Sequence, residues 1–305
     1  MSVKWQGVMP ALTTKFTADN RLDLPMFETN VRAQLDAGVE GLILGGTLGE
    51  ASTLLPEEKD QLVAAALRLA GDVPVIVNIA EQSTQGAVAA AQRAKVAGAR
   101  GLMVLPPMRY KATSRETVVY FKAVAAATDL PILIYNNPVD YGIEVTPDMF
   151  GELLRDCPTV QAVKESTRDI SNITRLRNRF GDRLKILTGV DTLGMESILM
   201  GADGWVAGLV CAFPAETVAV YALARAGRIA EALPIYRWFL PLLELDISPQ
   251  LVQNIKLAEV ATGIGTEHVR PPRLPLAGAE RQRVLDIIQK GIESRPELPD
   301  YKGLL

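Results

Sequence analysis

The sequence predicts a (β/α)8 TIM barrel, an α/β fold, followed by a C-terminal helical extension. Three observations carry that prediction. Eight short apolar, β-rich runs alternate with amphipathic stretches of helical length. One glycine-centred junction precedes three of the runs, and a proline opens two others. Uniformly apolar strands separated by helices indicate a parallel sheet covered on both faces.

The runs are Val8 to Leu12, Leu42 to Leu44, Val75 to Ile79, Leu102 to Leu105, Ile132 to Tyr135, Val160 to Val163, Leu184 to Leu187 and Trp205 to Val210. Between them, Glu57 to Leu69, Thr84 to Ala97 and Glu116 to Ala127 carry apolar residues at helical spacing. Ala37-Gly38-Val39-Glu40-Gly41, Ala97-Gly98-Ala99-Arg100-Gly101 and, more loosely, Gly201-Ala202-Asp203-Gly204 each read as a glycine ending a helix before a strand begins. Pro74 and Pro131 stand at the first residues of strands, where a missing N–H is tolerated. Thr146-Pro147 offers an N-cap with proline at the first helical position, and Ser114 marks another helix start. An open doubly wound sheet is the alternative arrangement; eight evenly spaced units favour the barrel. From Ile229 the strands stop, and helices are expected over Ala230 to Leu245, Gln250 to Thr262 and Ala279 to Ile292. The expected division is therefore a barrel over 1–227 and a helical region over 228–305.

Composition excludes several function classes. At 305 residues with 48% apolar content, a sizeable core is expected. A net charge of -3 gives no reason to expect nucleic acid as a partner. The opening Met1-Ser2-Val3-Lys4-Trp5 has no apolar signal-peptide core, and no apolar stretch has the length of a membrane span, so neither export nor membrane insertion is expected. Cys157 and Cys211 lack CxxC spacing and read as reduced thiols of a cytoplasmic protein. His268 is the only histidine, no GxSxG elbow exists, and the zinc, dinucleotide and P-loop motifs are absent. No metal and no organic cofactor are called for. An enzyme built from this chain would work with lysine, tyrosine, hydroxyls and backbone amides.

Lys164 is the most informative residue. It lies in Val160-Gln161-Ala162-Val163-Lys164-Glu165-Ser166, where β-strand composition implies burial. A buried ammonium is costly unless paired or deprotonated, and a deprotonated lysine can attack a ketone to form a Schiff base. Two quieter readings compete: Lys164 paired with Glu165 or Glu50 and chemically silent, or Lys15 as the lysine of interest. Polar neighbours Thr14, Thr17 and Asp19 predict that Lys15 stays solvated and charged. In a barrel the site forms where strands reach their C-terminal ends. There the sequence places Gly45-Gly46-Thr47-Leu48-Gly49-Glu50, Tyr135-Asn136-Asn137-Pro138, Lys164-Glu165-Ser166 and Gly189-Val190-Asp191. Tyr135 could be an ordinary core aromatic, and Thr47 with its glycines a tight turn. Glu50 reads as structural, and Asp191 as a helix cap in preference to a substrate contact.

GTLGE at Gly46 to Glu50, YNNP at Tyr135 to Pro138 and VKES at Val163 to Ser166 resemble the motifs of the dihydrodipicolinate synthase/N-acetylneuraminate lyase family, and Gly189-Val190-Asp191 matches as well. The resemblance extends to Arg270-Pro271-Pro272-Arg273-Leu274-Pro275-Leu276 in the tail. It implies class I lyase chemistry: Lys164 forming an imine with a 2-oxo acid, Tyr135 relaying a proton, and Thr47 completing the hydroxyl chain. The amides of Thr47 and Leu48 would hold the carboxylate, with Gly46, Gly189, Asp140 and Gly208 around the substrate. It also implies a homotetramer.

Four positions depart from the family pattern. Asp140 stands where the synthase has an arginine gripping its second substrate, and a carboxylate there would repel an anionic aldehyde. Leu48 replaces a hydroxyl residue. Met108, with Arg109 and Tyr110 beside it, stands where the synthase contributes a tyrosine across its dimer interface, and Gly208 occupies the serine position of sialic acid lyases. The expected function is a Schiff-base lyase acting on pyruvate or a small hydroxylated 2-oxo acid by aldol cleavage, dehydration or deamination. True dihydrodipicolinate synthase is the alternative lyase reading, and a non-catalytic barrel that binds 2-oxo acids is the alternative of another class.

Overall fold

Eight parallel strands form the sheet: β1 (Gly7–Pro10), β2 (Leu42–Leu44), β3 (Val75–Ile79), β4 (Gly101–Val104), β5 (Ile132–Asn136), β6 (Val160–Glu165), β7 (Lys185–Thr188) and β8 (Gly204–Ala207). The computed structural model describes residues 3–107 and 110–305, so Met108 and Arg109 lie outside the described residues. The strand order is β1-β8-β7-β6-β5-β4-β3-β2. A parallel bridge between Ala11 and Ile43 joins β1 to β2 and closes the sheet. The result is a (β/α)8 TIM barrel rather than an open sheet.

Around the strands lie α1 (Leu24–Ala37), α2 (Pro56–Ala70), α3 (Thr84–Val96), α4 (Ser114–Ala126), the single turn α5 (Pro138–Tyr141), α6 (Pro147–Asp156), α7 (Ser171–Phe180), α8 (Gly194–Leu199) and α9 (Pro214–Arg225). The recurring glycine junctions have one physical cause. Gly38, Gly98 and Gly201 all adopt left-handed φ, at 94°, 94° and 102°, which only glycine adopts without a Cβ penalty. Pro74 and Pro131 give up an N–H at the strand edge but use their carbonyls, each accepting from the neighbouring strand's amide at 2.9 Å. Thr146 caps α6 through its side chain, as its sequence predicts. The cap of α4 is Thr113 instead of Ser114, because Thr113 and Glu116 exchange bonds in a capping box.

Two expectations fail for reasons that lie far along the chain. The eighth strand stops at Ala207, where a run to Val210 was expected. Asp191 captures the amides of Gly208 and Leu209 at 3.1 and 2.7 Å and bends residues 209–211 into a 3₁₀ turn. Lys15 is fully buried, not solvated. Its Nζ bonds Glu259 at 2.9 Å and also donates to Thr13, so the charge is compensated by a helix over 240 residues away.

That helix belongs to the C-terminal set: α10 (Ile229–Leu243), α11 (Leu251–Ala261) and α12 (Gly278–Glu293). α10 packs on α9 and α12, and α11 packs on α12. One apolar core runs across residue 228, taking in Val252, Ile255 and Val284 with the barrel residues. Between α10 and α11 the 3₁₀ turn Glu244–Ile247 lies against the turn Asp191–Leu193 beyond β7. Among the described residues no helix is long and apolar enough to cross a membrane.

Candidate active site

The register of β5 against β6 sets Tyr135 beside Lys164 and Asn136 beside Glu165. Strand residues alternate faces, so the phenol and the amine share one face and the amide and carboxylate the other. Glu165 is committed to its own side: it accepts from Asn136 Nδ2 at 3.2 Å and from the Thr167 amide at 2.9 Å. Glu50 is committed as well, pairing with Lys256 Nζ at 2.6 Å and accepting the Arg270 amide at 2.9 Å. Neither carboxylate pairs with Lys164, and no other ion pair to it forms among the described residues.

Lys164 is buried, and its Nζ stands 4.2 Å from the centre of the Tyr135 ring. Burial pushes its pKa down, with Tyr141, Asp246, Asp191 and Asp140 opposing in that order. Burial pushes Tyr135 up to about 12, while Asn137 Nδ2 donates to its hydroxyl at 3.1 Å. Gly189 makes room for the lysine. A side chain there would sit 2.5 Å from Lys164 Cε and collide with Ser166 Oγ.

Lys164 and Tyr135 open into a cavity of about 350 Å³, a size suited to a small molecule. Thr47, Gly46, Leu48, Asp140, Gly189 and Gly208 line it too, so the candidate residues meet at one place from six separate loops or strands. The Gly46–Glu50 loop is held from behind by Asn78 Nδ2 on the Gly45 carbonyl (3.0 Å) and Thr14 Oγ1 on the Gly49 carbonyl (2.7 Å). Gly49 has no space for a Cβ, which would lie 3.0 Å from the Leu12 carbonyl oxygen. Among the described residues the amides of Thr47 and Leu48 donate to no protein acceptor, which leaves two N–H groups for an anion.

Among the lining residues that sequence reasoning did not find, three carry ionisable groups: Tyr141, Arg168 and Asp246. The Thr47 hydroxyl bonds Tyr141 Oη at 2.7 Å, and the Tyr141 ring meets Tyr135 edge-on at 5.5 Å. The contact between Thr47 and Tyr135 therefore runs through a second phenol. Burial raises the Tyr141 pKa. Arg168, left-handed at φ 64°, places Nη2 3.5 Å from Asp140 Oδ1, so Asp140 is not the bare carboxylate that its position suggested. Asn137 Nδ2 also bonds Asp140, at 2.7 Å. Spacing gives a signal only for Tyr141, six residues past Tyr135 in the same loop; Arg168 and Asp246 have none. Asp191 does not line the cavity. It is buried on the Trp205 indole N–H (3.0 Å) and two amides, which matches a capping role for a turn other than its own.

The family model described as the dihydrodipicolinate synthetase family matches residues 4–291. The chain belongs to this family. It is 33% identical over 276 residues to the 4-hydroxy-tetrahydrodipicolinate synthase of Exiguobacterium sibiricum, covering 89% of this chain and 92% of that protein. It is 32% identical to the enzyme of the same name from Salinibacter ruber, over 92% of this chain and 94% of that one. Among solved structures, the chloride-inhibited dihydrodipicolinate synthase of Acinetobacter baumannii complexed with pyruvate superposes with a TM-score of 0.90 at 26% identity, covering 94% of this chain and 99% of that chain. Family membership makes the chain a lyase of the class I type, working through a lysine Schiff base on a small substrate.

Proposed function

We propose that Lys164 is the imine-forming amine and that the substrate is a small hydroxylated 2-oxo acid. The carrying observation is a buried lysine without a carboxylate partner, beside a phenol, at the base of a cavity of small-molecule size. Burial raises the fraction of neutral amine, the form that attacks a carbonyl carbon. The resulting iminium withdraws electrons from the neighbouring carbon, so a proton can leave it or a carbon–carbon bond can break. No cofactor is needed for that step. Tyr135 moves the proton at the substrate oxygen, and the Thr47–Tyr141 pair extends the hydroxyl chain toward the mouth. The amides of Thr47 and Leu48 hold the carboxylate next to the carbonyl. We further propose a barrel unit over 1–227 with a helical region over 228–305, a homotetramer, and a cytoplasmic location.

Borohydride reduction in the presence of pyruvate tests the reading. A mass increase of one reduced pyruvoyl group on Lys164 is expected, and an unmodified Lys164 in an active preparation overturns it. The synthase reaction is a second reading, favoured by Arg168, which could grip a distal carboxylate in place of the arginine that Asp140 replaces. Turnover of pyruvate with aspartate semialdehyde would support it. We expect less of this than of hydroxylated 2-oxo acid turnover, because Asp140 already draws on the Arg168 charge.

A further inference from the structure

Resting on the imine chemistry proposed for Lys164, we propose that Asp246 is the acid that hydrogen-bonds a hydroxyl two carbons beyond the imine carbon and protonates it as it leaves. Asp246 comes from the C-terminal region, on the 3₁₀ turn between α10 and α11, and lines the same cavity as Lys164. The residue as a whole is only partly shielded, but its Oδ1 is cut off from solvent and lacks a hydrogen-bond partner. A buried carboxyl oxygen without a partner is unfavourable unless a ligand supplies one.

Space has been cleared for it. A side chain at Gly208 would collide with Asp246 Oδ1 and come within 2.9 Å of its Cγ and 3.0 Å of Leu48 Cδ1. The charged groups that act on Asp246 are Asp191, Lys164 and Asp140. Burial first, and then Asp191, holds its carboxyl well above the usual carboxylate range. That direction favours the protonated acid, the form that elimination uses; retro-aldol cleavage needs a base instead.

The step balances within the substrate and the chain. The electron pair of the broken C3–H bond forms the C2–C3 double bond of an enamine as the C=N π pair moves onto nitrogen, and the proton passes along the hydroxyl chain of Tyr135 to solvent. The enamine then returns that pair, the C4–O bond breaks, and the oxygen leaves as water with the Asp246 proton. Hydrolysis of the conjugated iminium frees a 2-oxo-3-enoic acid and Lys164, and the proton taken from C3 returns to Asp246 through solvent.

The test uses full-length wild type and Asp246→Asn, with 4-hydroxy-2-oxopentanoate for turnover and pyruvate for trapping. Asn keeps the shape and a hydrogen bond to the hydroxyl but has no proton to give. Expected are water loss by wild type, a fall of about 100-fold or more in the variant, and loss of the alkaline limb of kcat. Pyruvate trapping at Lys164 should be equal in the two proteins. Unchanged turnover in Asp246→Asn overturns the assignment, as does wild type that releases only pyruvate and acetaldehyde, or trapping that falls in step with turnover. Failure of wild type itself to trap pyruvate at Lys164 instead removes the imine reading on which the assignment rests.

Discussion

Lys164 and Lys256 are both buried lysines, and burial lowers both pKa values, Lys256 to about 8. Their surroundings differ. Lys256 has a fully shielded side chain, pairs with Glu50 at 2.6 Å and also donates to the His268 carbonyl. Lys15 is a third case of the same kind, closed in with Glu259. Lys164 has no paired carboxylate and opens on a cavity. Burial of a lysine, and even a depressed pKa, does not mark a reactive amine here. Under the proposed function, missing charge compensation together with access to a small molecule singles out Lys164, because the first leaves the neutral form favoured and the second lets it meet a carbonyl.

Lys164→Met separates the two lysines most sharply. Turnover should fall by at least about 10⁴-fold, since the covalent step is lost. Stability in urea should hold or rise, since an uncompensated buried amine is replaced by an apolar chain of similar length. A large loss of stability would put Lys164 in the same class as Lys256.

Lys256→Met should behave in the opposite way. Glu50 is left buried with only the longer pair to Arg273 at 3.9 Å, and unfolding free energy should drop by about 3–5 kcal/mol. Denaturant titration reads the change, and adding Glu50→Gln should recover part of it. A smaller effect is expected from pH alone. The neutral amine is the reactive form and the Lys164 pKa is lowered, so the rate of imine formation with pyruvate, a step that needs no proton from Asp246, should rise with pH and level off below 10.5, the ordinary lysine value. A limb centred at or above that value would mean that burial is not tuning the amine.

Much of the fold is legible locally. The runs at Leu42, Val75 and Ile132 become strands with nearly their expected bounds, and Gly38 and Gly98 end helices as their spacing implies. These features follow from side-chain volume, alternation and φ preference, which act over a few residues. The motif loops were equally visible, because glycine and hydroxyl clusters after apolar runs interrupt the pattern. Lys15 was misread because its polar neighbours suggested water, while its partner Glu259 lies on α11.

The sequence by itself determined the succession of strands and helices, the turn glycines and a lysine–tyrosine–threonine set at strand ends. Tertiary structure decided which buried charges are compensated: Glu50 with Lys256, Glu259 with Lys15, and neither with Lys164. It also brought Asp246, Arg168 and Tyr141 to the cavity wall. Charge compensation and cavity shape depend on distances between residues up to some 240 positions apart, and local composition carries no information about such distances until the barrel has closed.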